Sequence, residues 1–230
     1  MELFGLEKLS LVDYDGKVAA TVFTGACNFK CGFCHNGLLV EDVKNLKPLS
    51  EDEILFYLNT RKGILDGVCI TGGEPTLHHD LPLFIEKIKK IGLSVKVDTN
   101  GTNPEMIKSL YENGLADYFA MDIKNDKENY ALTIGLPKYD TEKIEKSADF
   151  FLSGNADYEF RTTLIGEYHK AENMKNIARW IKGAKRYFLQ KYKDVETCLT
   201  HNLSGVPEET AKEFIEMIKP YIPSVKLRGY

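Results

Sequence analysis

Short runs rich in β-branched and aromatic residues alternate with amphipathic segments along the whole 230-residue chain. The runs lie near Val18–Thr24, Val68–Thr71, Val95–Thr99, Tyr118–Ile123, Tyr158–Leu164, Arg186–Leu189 and Val225–Leu227, and they read as strands. The segments between them carry helix signals. Ser50-Glu51-Asp52-Glu53 is a capping box ahead of Ile54, Leu55 and Leu58. Leu81, Phe84, Ile85 and Ile88 fall on one helical face, with Gly92 as the stop. Asn103-Pro104 places an N-cap before a proline, and Gly114 closes that helix. Ile144, Ala148 and Phe151 mark a fourth helix, and Met174, Ile177, Ala178 and Ile181 a fifth ended by Gly183. Ala211, Phe214, Ile215 and Ile218, between Pro207 and Pro220, mark a sixth. Strands that alternate with helices imply parallel pairing through right-handed crossovers. Leu9–Val12 and Val18–Val22 flank Asp15-Gly16, which predicts an antiparallel N-terminal hairpin strand. Six βα units are too few for a closed eightfold barrel, so an open partial barrel or a doubly wound sheet is expected.

Composition narrows the function classes. Hydrophobic residues at 43% and charged residues at 28% suit one globular domain spanning 1–230 rather than a disordered or coiled-coil chain. A net charge of −4 gives no general pull on phosphate backbones, so no nucleic-acid partner is expected. No apolar run reaches membrane-span length, and Met1-Glu2-Leu3-Phe4-Gly5 has no signal-peptide character. No membrane partner and a cytoplasmic location are therefore expected.

Three of the five cysteines fall in Cys27-x3-Cys31-x2-Cys34, directly after the first parallel strand. Three clustered soft ligands suit an iron–sulfur cluster or zinc. A zinc site of Cys₃His type would need His35 as its fourth ligand, and its adjacency to Cys34 makes joint tetrahedral ligation awkward. A cubane held by three thiolates would leave one iron open. Polar residues also stand at the C-terminal ends of other strands: Gly72-Gly73-Glu74-Pro75, Asp98-Thr99-Asn100-Gly101, Asp122-Ile123-Lys124 and Gln190, with Arg161 inside the fifth parallel strand. In parallel α/β sheets these ends share one edge, where ligands bind.

These residues together resemble the radical S-adenosylmethionine (SAM) enzymes. The spaced cysteines, Phe33 before the last of them and Gly72-Gly73-Glu74-Pro75 carry the resemblance, which runs over nearly the whole chain. Within that superfamily the chain is similar to activating enzymes of glycyl radical enzymes, most of all the longer type of anaerobic ribonucleoside-triphosphate reductase activating protein. Cys34-His35-Asn36, Asp98-Thr99-Asn100-Gly101, Arg161-Thr162-Thr163 and Leu227-Arg228-Gly229 support this.

The resemblance implies a partial (β/α)6 barrel of mostly parallel strands. It implies a [4Fe–4S] cluster on Cys27, Cys31 and Cys34. It implies SAM held by Phe33, Cys34, His35, Gly72, Gly73, Glu74, Asp98, Thr99, Asn100, Asp122 and Lys124. Gly73 would bring its backbone close to the SAM amino group. A monovalent cation near Asp98, Thr99, Asp122 and Lys124 is a further implication. Pyruvate formate-lyase activase has a histidine near the end of the sixth parallel strand, where this chain reads Phe188-Leu189-Gln190-Lys191-Tyr192, so Gln190 and Tyr192 take that place. Arg161 is divided between SAM contact and an ion pair. No side chain is assigned as catalytic, because the cofactors carry the radical chemistry. SAM would be cleaved reductively to a 5′-deoxyadenosyl radical, which generates a glycyl radical on a partner enzyme of the anaerobic ribonucleotide reductase or pyruvate formate-lyase type. An external donor such as flavodoxin or ferredoxin would supply the electron.

Two other functions remain open at this level. One is a radical SAM enzyme with a small-molecule substrate. The other is an electron carrier whose cluster takes Cys69 or Cys198 as its fourth ligand. Cys69 otherwise reads as a buried core thiol, and Cys198-x2-His201 offers too few ligands for a second metal. His78, His79 and His169 read as surface or loop residues. Connections read as mostly short, so the reacting edge is expected to lack a lid and to suit a protein substrate.

Overall fold

A computed structural model describes all of residues 1–230. The chain forms two compact units, residues 1–28 with 38–120, and residues 29–37 with 121–230. No helix is long and apolar enough to cross a membrane.

The first unit begins with β1 (Leu3–Ser10), which pairs antiparallel with β2 (Ala19–Thr24). The N-terminal strand therefore lies earlier than the Leu9–Val12 expected from the sequence. Leu11 and Val12 instead project from the connecting loop, 67% and 77% exposed. The alternation near Asp15-Gly16 is misleading because the true pairing partner starts at Leu3, opposite Thr24. After β2 come the short α1 (Gly37–Glu41, whose first residue belongs to the second unit) and α2 (Glu51–Thr60). Next are β3 (Gly67–Gly72), α3 (Leu81–Ile91), β4 (Ser94–Thr99) and α4 (Pro104–Glu112).

The expected caps are in place. The Ser50 side chain accepts from Glu53 N, the Asn103 side chain accepts from Met106 N, and Gly92 ends α3 in the left-handed region. β2, β3 and β4 pair in parallel, with Thr21 opposite Cys69 and Cys69 opposite Lys96. Val22, Val68, Ile70, Val95 and Val97 are buried, as are Ile54 and Leu58 of α2, Phe84, Ile85 and Ile88 of α3, and Ile107 and Leu110 of α4. Each such side chain contributes about 1.5–3 kcal/mol on burial. This apolar core fixes the height of the strand ends that carry the polar residues.

β5 (Tyr118–Asp122) runs from the first unit into the second. There follow α5 (Tyr130–Thr133), α6 (Glu142–Leu152), β6 (Tyr158–Leu164), α7 (Ala171–Trp180), β7 (Tyr187–Lys191), α8 (Glu208–Ile218) and β8 (Val225–Arg228). β6, β7 and β8 are parallel neighbours in chain order. Phe151 of α6 stacks on Tyr158 of β6 at 5.2 Å between ring centres, and Tyr158 meets Phe160 edge-on at 5.0 Å. The α/β class, the six βα units with a last strand, and the antiparallel N-terminal strand agree with the sequence expectation.

The connection from β7 to α8, residues 192–207, is long, against the expectation of short loops. The sequence between its strand and helix signals contains a single glycine and no second periodic run, so little in it announces a packed segment.

Candidate active site

In the first unit the three parallel strands end at one edge, and backbone hydrogen bonds tie those ends together. Gly73 N donates to Thr24 O at 2.8 Å, and Glu74 N donates to Ala26 O at 2.8 Å. Ala26, the residue before Cys27, has a left-handed φ of 63°. For alanine this conformation costs about 1–2 kcal/mol, so the surroundings must hold it. A Cβ at Gly73 would lie 1.9 Å from Ala26 O. Gly72 has φ +111°, and a Cβ there would lie 2.4 Å from Thr24 O. The resemblance gives Gly73 the task of approaching SAM. The structure adds a second reason for glycine, since the Ala26 carbonyl fills the space a side chain would need.

Glu74 is 1% exposed. Its carboxylate accepts from Thr76 N at 3.1 Å, from the Thr76 hydroxyl, from Thr99 Oγ1 at 2.8 Å and from Asn100 N at 2.6 Å. Burial pushes its pKa up, and those four hydrogen bonds pull the other way. Glu74 thus joins the end of β3 to the end of β4. Asn100 continues the chain of contacts. Its Nδ2 donates to Asn28 Oδ1 at 2.8 Å and lies 3.8 Å from Cys27 Sγ. Its Oδ1 accepts from Thr102 N at 3.0 Å and from Thr102 Oγ1 at 2.7 Å. Cys27, Gly72, Gly73, Glu74, Thr99 and Asn100 therefore form one connected group. Asp98 turns to other partners: Lys96 Nζ at 2.6 Å and the Cys69 thiol at 3.6 Å. Cys69 is buried as expected, but it faces this ion pair rather than apolar neighbours alone.

The second unit holds Cys31 and Cys34 on a turn closed by Cys34 N donating to Cys31 O at 3.0 Å. Phe29 anchors the segment edge-on against Tyr139 at 5.3 Å. Lys124 Nζ pairs with Asp122 Oδ2 at 2.8 Å and lies over the Phe33 ring at 5.8 Å. Burial opposes the Lys124 charge, but Asp122, with Cys31 and Cys34 adding to it, outweighs burial and holds its pKa above the ordinary lysine range. Burial pushes the Cys34 thiol up, with Lys124 opposing. Arg161 Nε meets Asp122 Oδ1 at 2.8 Å, so the ion pair left open from the sequence is present. His35 sets its ring on Tyr192 at 6.0 Å, and its Nε2 bonds Lys193 O at 2.8 Å. Gln190 is half-buried opposite Arg228 on β8.

His169 departs from expectation. The sequence suggests a surface or loop residue, but it is 2% exposed. Its Nδ1 accepts from Ile165 N at 2.9 Å, and its Nε2 donates to Lys124 O at 2.9 Å. It thereby fixes the backbone of the Asp122–Lys124 stretch. Polar residues around it hide its burial in the sequence. Burial lowers its pKa, against the two backbone bonds and Asp126, which raise it. A depressed histidine pKa means that the folded state binds fewer protons than the unfolded chain. The stability it contributes is present above about pH 6.5, the unfolded value, and is lost as pH falls through the folded pKa. The melting temperature of wild type should therefore drop more steeply below about pH 6.5 than that of His169→Gln. Equal slopes in a melting series against pH would refute this.

The connection 192–207 packs on the cysteine segment of this unit. Thr200 N donates to Gly32 O at 2.8 Å, and Thr197 Oγ1 donates to His35 O at 2.5 Å. A Cβ at Gly37 would lie 2.2 Å from Thr197 O. This loop therefore lies against residues 32–37, where the sequence suggests short connections and no lid. Cys198 is buried, whereas His201 is exposed and paired with Asp194 at 3.2 Å, so the two do not face a common metal. Asn28, Thr102 and Lys96 join the site without having stood out in the sequence. Lys96 has a usable signal, a charge inside the buried run Val95-Lys96-Val97.

The donor set fits the implied cofactors. Cys27 in the first unit and Cys31 and Cys34 in the second are free thiols of the kind a cluster takes as ligands, and within the second unit Lys124 interacts with Cys31 and Cys34. The glycine backbone at 72–73 leaves no side chain at the strand end. Asp98 and Asp122, the carboxylates implied for a monovalent cation, each already pair with a lysine.

Comparison with known proteins bears on the whole chain. It is 33% identical to a candidate glycyl-radical enzyme activating enzyme of Methanocaldococcus jannaschii, across 97% of this chain and 94% of that protein. The fold is shared with a domain of the pyruvate-formate lyase-activating enzyme of Bacteroides vulgatus, with TM-score 0.58 and 21% identity over 71% of this chain and 99% of that one. It is also shared with Streptococcus suis SuiB, solved bound to S-adenosylmethionine, with TM-score 0.69 and 15% identity over 90% of this chain and 49% of that one. The family model of the radical SAM superfamily matches residues 21–181, the stretch holding the cysteine loop and five of the parallel strands. The chain belongs to the radical SAM superfamily and is a radical SAM enzyme.

Proposed function

We propose that this enzyme activates a glycyl radical enzyme by abstracting a hydrogen atom from a backbone glycine of that partner. The observation that carries this reading is the 33% identity to the M. jannaschii protein, which extends over nearly the full length of both chains. The preferred partner is an anaerobic ribonucleotide reductase, with a pyruvate formate-lyase type enzyme next, and flavodoxin or ferredoxin is the external one-electron donor.

In this reading Cys27, Cys31 and Cys34 hold a [4Fe–4S] cluster. Held there, the cluster together with SAM would supply one-electron reductive chemistry and the means to remove a hydrogen atom. The rest falls to side chains and backbone of this chain. Ala26, Gly73 and Glu74 lock the start of the cysteine loop to the end of β3. Glu74 acts through Asn100 and Thr99, positioning rather than touching ligand, because its oxygens are already taken by four donors. Lys124 and Arg161 present positive charge around Asp122, suited to the SAM carboxylate. Phe33 and the His35–Tyr192 stack offer apolar ring faces for the adenine. The neutral His169 keeps the Lys124 backbone in place.

The test uses anaerobically reconstituted enzyme, reductant, SAM and the glycyl radical enzyme of the same organism. A glycyl radical should appear on the partner by electron paramagnetic resonance. Deuterium placed at the partner's glycine Cα should be recovered in the released 5′-deoxyadenosine. Absence of a partner radical, with a small molecule taking up the chemistry instead, would replace this reading by the small-molecule one.

A further inference from the structure

We propose that Cys198 is the disulfide partner of Cys34, joined to it by oxidation when Cys34 carries no metal. This rests on Cys34 being a cluster ligand.

Cys198 is a buried thiol that the mechanism above does not use. It lies in the loop that packs on the cysteine segment, and the contacts bracket the two residues. On one side of Cys34, Gly32 O accepts from Thr200 N at 2.8 Å. On the other, His35 O accepts from Thr197 Oγ1 at 2.5 Å. Residues 32–35 and 197–200 thus run past each other in opposite directions, with Cys34 and Cys198 between the two bonds. The fit is close, since a Cβ at Gly32 would lie 2.8 Å from Thr200 Oγ1. A third contact points the same way. Tyr192 stacks on His35, next to Cys34, while its hydroxyl lies 3.8 Å from Cys198 Sγ. In keeping with this proximity, Cys198 is among the groups that raise the Cys34 pKa.

The competing partner is Cys31, on the same turn as Cys34. A bridge between residues three apart closes a very small ring and adds little chain constraint. One between Cys34 and Cys198 closes a loop of more than a hundred residues and ties the cysteine segment to the 192–207 connection. In the folded protein the choice follows from which thiols the packing holds face to face, and the 197–200 segment is held against residues 32–35. With hydrogen peroxide as oxidant, one sulfur attacks the peroxide and becomes a sulfenic acid, releasing water. The second sulfur displaces the hydroxyl, which leaves as a second water with the remaining thiol proton. Each sulfur gives one electron and the peroxide takes two. The bridge would keep Cys34 from the irreversible sulfinic state and hold the cysteine segment on its loop until reduction.

Full-length protein stripped of iron anaerobically is treated with hydrogen peroxide, digested and mapped by mass spectrometry. The expected result is a Cys34–Cys198 linked peptide, loss of two of the five thiols, and recovery of all five with dithiothreitol. In Cys198→Ser, Cys34 should pass to sulfinic acid under the same treatment. A dominant Cys31–Cys34 or Cys27-containing bridge, or equal overoxidation of Cys34 in both proteins, overturns the proposal. Iron content of Cys34→Ala after anaerobic reconstitution tests the premise separately. Undiminished iron there would remove Cys34 from the cluster whatever the disulfide map shows.

Discussion

Glu74→Ala should lower the melting temperature of the iron-free protein by about 10 °C, the largest loss expected from any single polar side chain outside the cysteines. The carboxylate is 1% exposed and takes four donors from three residues. Two of these, Thr76 N and Asn100 N, are backbone groups that cannot turn away. Each buried donor left unmade costs about 1–3 kcal/mol, and a cavity adds to it. For a chain of this length each kcal/mol moves the midpoint by about 2–4 °C. Glu74→Gln should fall between wild type and alanine, since it keeps one acceptor oxygen but turns an NH₂ toward donors. Calorimetry on the three proteins decides this. A shift of only a degree or two in Glu74→Ala would mean that the carboxylate is not what joins the ends of β3 and β4.

Gly73→Ala should impair the enzyme more than any other single-methyl addition. The new Cβ would sit 1.9 Å from Ala26 O, so the backbone before Cys27 must move by about 1 Å to admit it. Displacement on that scale costs about 100-fold in turnover when it misplaces reacting groups. Gly16→Ala is the matched control. Gly16 has φ +74°, but nothing lies within 4 Å of its added Cβ. It should cost about 1–2 kcal/mol of stability from backbone conformation and leave SAM cleavage unchanged. The pair separates steric coupling at the cysteine loop from loss of glycine in general. Similar SAM-cleavage rates for Gly73→Ala and wild type would show that the Ala26 contact does not govern the loop.

Much of this site is legible in the amino-acid sequence, and the reasons differ by residue. The cysteine spacing and Gly72-Gly73-Glu74 are local, and a local pattern survives in sequence. The helix caps at Ser50 and Asn103 are legible for the same reason, because a cap is decided within four residues. What stays hidden is what depends on distant partners. His169 looks like a loop histidine until Ile165 N and Lys124 O are seen on its two nitrogens. The 192–207 loop has no period or motif, and its packing role follows from glycines at 32 and 37 that make room for Thr200 and Thr197. The N-terminal strand is hard to place because Leu9–Val12 is apolar yet leads into a loop tip, while pairing runs from Leu3. Lys96 is the opposite case, where a lone charge in a valine run is a signal visible in the sequence itself.

In the proposed function, Cys27, Cys31 and Cys34 hold a cluster with one iron left for SAM. The most direct measurement is iron content and the electron paramagnetic resonance spectrum of reduced, anaerobically reconstituted protein, with and without SAM. Wild type, Cys69→Ala and Cys198→Ala should each bind about four irons per chain, and SAM should change the spectrum of all three. Alanine at Cys27, Cys31 or Cys34 should abolish the cluster. A spectrum indifferent to SAM, or a cluster lost on replacing Cys69 or Cys198, would contradict the account and return the chain to an electron carrier with a fourth protein ligand.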